Sequence, residues 1–410
     1  MSNEKLHVLI IGAGIGGLTL AQALRKQGIS FEIFERDASP SARGQGYALG
    51  LYDLDNLFGS SLPSDLPPLH STCHLLPLPL PSQVIYYFPG GKKLMIEDTP
   101  STPCLRVNRL RLRELLATHI PVRWGKQAIP SSIAESDTGV TVFFADGTSA
   151  SGTILVGADG VWSAVRPYVL KQPNEDVLEP FSSAVILGEL KLDGEVMEAQ
   201  LRMGHTGWIA FGQGYTLFSG LNRVNVDAEG RVSGDYYWVM GNLEHGDVKG
   251  FSREQKLAFA REKVGGLAEE FRVTVEMTKA DDVKDNFGWW DALIPGSRLP
   301  SVNRVLLIGD ACHPMTPNRG EGGIFAIRDA VQLSKLLAEN NNADFSTLQT
   351  KLDEFQKDVA DKGHESILSA RDIMNKARAG TTPKAWGHDL WPIDEVKPLP
   401  FKLSEWKAQA

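Results

Sequence analysis

The sequence predicts an α/β fold in which a parallel sheet flanked by helices is joined to an antiparallel sheet, with further helices toward the C-terminus. Three observations carry this expectation. A continuous apolar run, Leu6 to Ile11, enters a glycine turn and then a helix-like stretch. The same succession of buried strand, Gly-Asp turn and helix returns at Arg304 to Leu337. Between them, residues 180 to 280 alternate apolar and polar side chains in short segments bounded by turn residues, as antiparallel strands do.

The elements follow in order. The stretch from Ile15 reads as a helix to Gln27, which Gly28 can end, and Ser30 to Glu35 reads as a second strand by alternation. This βαβ opening requires helices on both faces of a parallel sheet. Residues 62–103 are rich in proline, and Pro89-Gly90-Gly91 marks a turn inside short strand-like pieces; too apolar for a free linker, the stretch is expected to form an irregular excursion against the body. Arg109 to Ala117 returns to helical spacing with Leu112, Leu115 and Leu116 on one face, and Val140 to Phe144 before Asp146-Gly147 reads as half of a hairpin. The strands expected in the second sheet are Ala184–Leu192, Ala199–Met203, Trp208–Phe211, Thr216–Asn222 and Tyr236–Met240. Residues 253–270 and 345–378 are expected to be helical. The domain organisation is therefore 1–175 and 284–340 for the two parts of the parallel domain, 176–283 for the antiparallel domain, and 341–410 for a helical region and tail.

A chain of 410 residues with 42% apolar residues can bury a sizeable core. Its formal charge of −8, without a Lys/Arg run, argues against nucleic acid as a partner. The cysteines number three (Cys73, Cys104, Cys312), without a CxxC pair, so neither a disulfide framework nor a thiolate metal site is expected. The N-terminal apolar run is far too short to span a bilayer, and a cytoplasmic protein with no integral membrane segment is expected, as a monomer or homodimer.

Gly12-Ala-Gly14-Ile-Gly-Gly17 carries the first chemical signal. Gly12 permits the tight turn, Gly14 lets the backbone approach a pyrophosphate, and Gly17 lets helix pack on strand, while the helix N-terminus offers free N–H groups. Glu35 ends the next strand, where a carboxylate can accept both ribose hydroxyls; it disfavours a 2′-phosphate, which Arg36 could offset. A Rossmann-like dinucleotide-binding domain follows, with FAD and NAD both open at this point. Gly157-Ala-Asp159-Gly160-Val-Trp-Ser163-Ala-Val-Arg166 follows the apolar run 154–156 and, alone, reads as an ordinary turn. Gly309-Asp310-Ala-Cys-His313-Pro314-Met-Thr-Pro317, continuing into Gly320-Glu-Gly-Gly323, places a carboxylate at a strand end and a glycine-rich helix start after it. Such a helix start presents a positive dipole to an electron-rich ring.

These three motifs, in this order, resemble those of the flavoprotein aromatic hydroxylases typified by para-hydroxybenzoate and salicylate hydroxylases, in particular their short fungal members. Arg43 in Ala-Arg-Gly-Gln-Gly and Arg109 in Arg-Leu-Arg-Leu-Arg-Glu-Leu-Leu match family positions too. The resemblance implies a GR2-type FAD-binding domain and, over the cavity, a substrate domain. It implies FAD with NADPH or NADH as transient co-substrate, O2, and a small hydrophobic or aromatic substrate that is hydroxylated or epoxidised, a step suited to secondary metabolism. The cofactor-binding set it implies is Gly12, Gly14, Ile15, Gly17, Glu35, Arg36, Arg43, Arg109, Asp159, Gly160, Asp310, Pro317, Gly320, Gly322, Gly323 and Ile324. Glu35 would take the adenosine ribose, Arg43 and Arg109 the phosphates or ribityl chain, and Asp310 the ribitol and pyrophosphate. Asp159 and Gly160 would shape a floor shared with NAD(P)H. Relatives often carry an Asn where Ile324 and Phe325 stand, which leaves room for an alternative: an NAD(P)H-independent oxidase, dehydrogenase or rearrangement catalyst using the same pocket.

Lesser candidates read blandly. His313 has a structural or flavin-adjacent reading ahead of a catalytic base, and Cys312 is expected to pack. Of Trp208, Phe211, Tyr215, Phe218, Tyr236 and Trp238, alternation in strands favours core positions over substrate contact for each. The chain carries no second GxGxxG, so NAD(P)H is expected to dock briefly rather than occupy a domain of its own. No triad, paired-carboxylate site or metal site is expected, because the cofactor carries the difficult chemistry.

Overall fold

The computed structural model describes residues 6–42, 44, 46–180, 183–212, 214–244, 248–285, 289–378 and 390–407. Strand β1 (His7–Ile11) is buried over nearly its whole length, as an apolar run with neighbours on both sides must be. Helix α1 (Ile15–Gln27) ends at Gly28, whose φ of 69° is left-handed. Next come β2 (Ser30–Glu35), β3 (Ala48–Tyr52), β4 (Gln83–Tyr87), β5 (Lys93–Glu97) and β6 (Cys104–Asn108). Helix α2 (Arg109–Ala117) is capped by the Asn108 side chain, which accepts from the Leu110 and Arg111 amides, and turns Leu112, Leu115 and Leu116 inward. Strands β7 (Arg123–Trp124), β8 (Ala128–Glu135), β9 (Val140–Phe144), β10 (Ser149–Gly152) and β11 (Ile154–Gly157) follow, then the short helix α3 (Arg166–Leu170).

The second half of the chain holds β12 (Glu179–Pro180), β13 (Ser183–Asp193), α4 (Gly194–Met203), β14 (Gly207–Gly212), β15 (Tyr215–Val226) and β16 (Val232–Glu244). Helices α5 (Arg253–Val264) and α6 (Glu269–Met277) precede β17 (Trp290–Asp291), β18 (Val305–Leu307), α7 (Gly322–Glu339), α8 (Phe345–Arg378) and β19 (Trp391–Ile393).

Two sheets organise the molecule. The first is parallel throughout, in the order β18-β11-β1-β2-β7. That order brings the C-terminal ends of β1, β11 and β18 side by side. The glycine loop, the Gly157–Arg166 loop and the Gly309–Pro317 loop, far apart in sequence, therefore open onto one edge, where open α/β sheets bind ligands. The second sheet runs β13-β16-β15-β14-β4-β5-β19 and is antiparallel except where β14 pairs with β4. Helix α7 packs against α1 closely enough that a Cβ at Gly16 would lie 3.3 Å from the Ala326 Cβ. From α8, Gln356 accepts from the Leu307 amide at 2.6 Å and donates to its carbonyl at 3.1 Å, satisfying the backbone of this residue on edge strand β18.

Side-chain alternation divides the larger sheet. Trp208, Trp238 and Met240 pack with Leu257 and Val275 of α5 and α6, whereas the intervening Ile209, Phe211, Tyr237 and Val239 face a cavity on the other side. A third cluster joins Leu192, Met197, Leu201 and Leu221 to Leu75 and Leu78, and Leu399, Phe401, Leu403 and Trp406 of the C-terminal segment pack on it.

The structure corrects three expectations. Ala199–Met203 is not a strand but the last half of α4; its Leu201/Met203 alternation mimics a strand, while burial of Met197, Gln200 and Leu201 follows the three-to-four-residue helical spacing. In the stretch 62–103 the strand-like pieces on either side of Pro89-Gly90-Gly91 are β4 and β5, but they are not part of an irregular excursion: they join the larger sheet and make it mixed rather than purely antiparallel. The helix expected over 253–270 stops at Val264, with Gly265-Gly266 separating it from α6.

Candidate active site

A single cavity of about 600 Å³ runs from the glycine loop to the inner face of the larger sheet. Gly14, Ile15 and Gly16 line one end together with Gly160, Asp310, Pro317, Gly320, Gly322 and Gly323. The other end is apolar, with Ile96, Ile209, Phe211, Phe218 and Val239, and Trp289 also reaches it.

The glycine loop is shaped for close approach. Gly12 has φ 105°, and a Cβ there would lie 2.5 Å from the Ala158 carbonyl oxygen. A Cβ at Gly17 would lie 2.0 Å from the Gly12 carbonyl oxygen, so this glycine joins helix to loop. At Gly14 a Cβ would meet nothing within 4 Å: the space beside the start of α1 belongs to the cavity. No side chain caps α1 and no acidic residue occupies its first turn, so its N–H groups and positive dipole are left for a ligand.

Glu35, 5% exposed, stands behind this loop; its carboxylate accepts from the Ala13 amide at 2.8 Å and the Asp37 amide at 3.1 Å. Arg113 donates from Nε to the Ala13 carbonyl at 2.9 Å and braces the same turn. Arg36 is exposed, and Arg43 lies outside the described residues. Arg109, the first residue of α2, lines the cavity, with Nη1 3.4 Å from where a Gly46 Cβ would sit.

Asp159 does not line the cavity. Its carboxylate accepts from Ser163 Oγ and the Ala164 amide, each at 2.6 Å, and burial pushes its pKa up. Gly160 beside it, at φ 83°, does line the cavity. Asp310 lines it from the end of β18; burial raises its carboxyl pKa, opposed by His313, Arg109 and Arg166. Ile324 is fully buried in the main core rather than at the cavity wall. A side chain with no polar atoms therefore stands there without exposing apolar surface to the site.

Several contributors were given no role by sequence reasoning, Arg166 among them although it closes the second motif. Arg166, 0% exposed, donates to the carbonyls of Ala311, Val161 and Asp310 and to Asn174 Oδ1, each between 2.7 and 2.8 Å, tying the second loop to the third. Arg319 lines the cavity and donates from Nε and Nη2 to the two carboxylate oxygens of Glu321, at 2.6 and 2.7 Å. Arg106 and Tyr237 stand in the apolar end, 2.6 Å apart from Nη2 to hydroxyl. The only signal for Arg106 was a lone Arg between apolar residues in Cys104-Leu-Arg-Val-Asn108. His313 does not reach the cavity; it bonds Asp329, and Cys312 packs in the core. Of the six aromatics expected at core positions, Phe211 and Phe218 instead line the cavity, whereas Trp208 and Trp238 are core residues with indole N–H groups donating to Gln200 and Thr278.

The donor set suits an extended dinucleotide with a ring system. The open space at Gly14 accommodates a diphosphate against the N-terminus of α1, and a carboxylate and glycine-lined wall continue toward the apolar end. Fold and site together define a flavoprotein with one shared cofactor and substrate cavity. The FAD binding domain family matches residues 99–357, and the NAD(P)-binding Rossmann-like domain matches residues 10–61. The FAD-dependent monooxygenase thnD of Trichoderma harzianum is 40% identical over 392 residues, covering 92% of this chain and 95% of that protein. The FAD-dependent monooxygenase phnB of Penicillium herquei is 28% identical, with 90% of each chain covered. Among solved structures, 2,6-dihydroxypyridine-3-hydroxylase from Arthrobacter nicotinovorans shares the fold at a TM-score of 0.69 and 18% identity, over 97% of this chain and 99% of that one. The chain belongs to the FAD binding domain family and is an FAD-dependent monooxygenase. No helix among the described residues is long and apolar enough to cross a membrane.

Proposed function

We propose that this enzyme uses NADPH or NADH and O2 to hydroxylate or epoxidise a small aromatic or polycyclic substrate held in the apolar end of the cavity. The observation that carries this reading is the continuity of the cavity. The wall formed by Gly320, Gly322 and Gly323 passes without a partition into the surface of Ile209, Phe211, Phe218 and Val239.

In this reading Glu35 takes the adenosine ribose, the Gly14 backbone and Arg109 take the diphosphate, and Asp310 takes the ribityl hydroxyls. Bound FAD supplies the redox and oxygen-transfer chemistry. The start of α7 turns its dipole toward the cavity and favours negative charge beside Gly322 and Gly323, while Glu321, buried and paired with Arg319, adds no uncompensated charge. The larger sheet shields the apolar end from water, and the substrate lies against the face that carries Ile209, Phe211 and Phe218. The nicotinamide co-substrate approaches along the Gly160 loop, without a domain of its own.

The experiment is anaerobic and aerobic NADPH oxidation by the FAD-loaded protein with a panel of hydroxylated arenes. Oxidation stimulated by one compound, with a product heavier by one oxygen atom, supports the reading. Substrate conversion by a flavin-loaded protein that leaves NADPH and NADH untouched would favour an NAD(P)H-independent flavoenzyme.

A further inference from the structure

Of the methionines among the described residues, Met315 alone lines the cavity. We propose that Met315 is a modification site that the enzyme oxidises itself. When the reduced cofactor reacts with O2 and no substrate is bound, one oxygen atom passes to the Met315 thioether and leaves a methionine sulfoxide. This rests on the placement of the cofactor ring along the Gly320–Gly323 wall.

The sulfur is held at that wall. Met315 lies on the third loop between Pro314 and Pro317, whose rings restrict the backbone, and the Pro314 carbonyl accepts from the Ala292 amide at 3.2 Å. The residue is half-buried, so part of it stays open to the cavity. A Cβ placed on Gly322 would lie 3.4 Å from Met315 Cγ, 3.8 Å from its Sδ and 3.8 Å from Asp310 Oδ1. The thioether therefore flanks the start of α7, beside the carboxylate that closes β18.

The chemistry needs nothing beyond the enzyme's own reactants. A thioether is a polarizable two-electron nucleophile that requires no deprotonation. O2 takes two electrons and two protons from the reduced cofactor. The O–O bond breaks as the S–O bond forms, sulfur is oxidised by two electrons, and the second oxygen atom leaves as water. The other cavity sulfur is a weaker acceptor: burial pushes the Cys104 thiol up to about 12, so the reactive thiolate is scarce. Met197 and Met240 are wholly buried in core clusters away from the cavity. Met277, 50% exposed at the end of α6, lies outside the cavity and is the sulfur that an oxidant in bulk water meets first.

Oxidation turns a flexible apolar side chain into a polar one. With Cγ so close to the space beside Gly322, the added oxygen projects toward the ring wall and weakens FAD binding. Methionine sulfoxide reductases reverse the change.

The test uses the FAD-loaded protein without substrate. It is photoreduced with EDTA in the absence of oxygen, then reoxidised in the dark with isotopically labelled O2 and catalase present, over repeated cycles. Peptide mass spectrometry should find one labelled oxygen atom on Met315 and at least about tenfold less label on Met277, as proximity demands. Hydrogen peroxide added to the resting protein without catalase should reverse that order. The cycled wild type should bind FAD about three- to tenfold more weakly, and methionine sulfoxide reductases should restore it. Met315→Leu should carry no label in that peptide and should keep its own initial FAD affinity through the cycles. Should Met315→Leu not fold, the label distribution in the wild type decides the matter. An unlabelled Met315, equal labelling of Met315 and Met277, or label on Cys104 in place of Met315 overturns the proposal. FAD affinity of Asp310→Ala reads the cofactor's placement without any oxidation. Undiminished affinity there with Met315 unlabelled counts against the placement, and a fall there with Met315 unlabelled counts against the oxygen transfer alone.

Discussion

His313 Nε2 lies 2.7 Å from Asp329 Oδ2, with both side chains almost wholly excluded from solvent. The same carboxylate oxygen accepts from the Gly309 amide at 2.9 Å, so the pair pins the start of the third loop to α7. Packing closes over it from α8, where a Cβ at Gly363 would lie 2.3 Å from the His313 Cβ. Burial alone would lower the imidazole pKa, but Asp329 overrides it and the net shift is upward. A raised folded-state pKa means that the pair stabilises the fold fully below the ordinary histidine value of about 6.5. That contribution is lost as pH rises through the folded value. The melting temperature of the wild type should therefore carry a downward slope above about pH 6.5 that His313→Gln lacks, and scanning fluorimetry across this range measures it. Parallel profiles for the two proteins would remove His313 from the account. Asp329→Ala, which leaves the histidine unpaired, should cost about 3–5 kcal/mol.

Gly14 and Gly17 separate binding from folding. A methyl group at Gly17 collides with the Gly12 carbonyl, and Gly17→Ala is expected to destabilise the protein by about 1–3 kcal/mol with or without cofactor. A side chain at Gly14 points into open cavity space, so Gly14→Val should leave the cofactor-free melting temperature within a few degrees of wild type. Its FAD affinity should nevertheless fall at least about tenfold, a loss of about 1.4 kcal/mol. Flavin fluorescence titration alongside thermal melts reads both, and equal FAD affinity in Gly14→Val would place the diphosphate elsewhere.

Arg166 acts through backbone carbonyls rather than through an ion pair. Replacing it with Met strips donors from Ala311, Val161 and Asp310, and each buried acceptor left unpaired costs about 1–3 kcal/mol. Arg166→Met should thus lose about 3 kcal/mol or more of stability in urea unfolding. Arg166→Lys should recover little of it, because an ammonium cannot span diverging carbonyls as a guanidinium does. Full rescue by Lys would mean that the charge alone matters.

The division between what the residues announced and what they hid is physical. Strand β1, helix α1, strand β2 and helix α2 are local: apolar period, a left-handed Gly28 and the Asn108 cap are all written within a few residues. The convergence of three loops on one sheet edge was legible only because each loop follows a short buried strand. The substrate end was not legible, since it depends on which face of β14, β15 and β16 looks inward. Ile209, Phe211, Phe218 and Tyr237 point to the cavity while Trp208 and Trp238 point away, a choice made by the helices packed on the far side. Arg106 meets Tyr237, 131 positions away in sequence, and Ser82, the residue before β4, relationships that spacing cannot reveal. The strand pattern misread in Ala199–Met203 failed for the opposite reason, because five residues are too few to tell a two-residue period from a helical one.

Asp310 bears most directly on the cofactor assignment. It stands at the end of β18 on the shared edge, lines the cavity, and is held there by its own backbone carbonyl bonded to Arg166 Nη2 at 2.7 Å. Its carboxylate is kept out of bulk water, which raises its pKa and makes it a strong acceptor for hydroxyl donors brought by a ligand. Asp310→Ala removes that acceptor while leaving the backbone anchor intact, so the loop should keep its course and the melting temperature of the cofactor-free protein should change little. FAD affinity should fall about 10- to 100-fold, as expected for loss of hydrogen bonds to a charged group. Asp310→Asn, which keeps one acceptor oxygen, should fall between the two. The ratio of flavin to protein absorbance after gel filtration, followed by titration of the stripped proteins, measures both. Retention of stoichiometric FAD by Asp310→Ala at unchanged affinity would move the ribityl contact away from β18, and with it the orientation of the cofactor in the cavity.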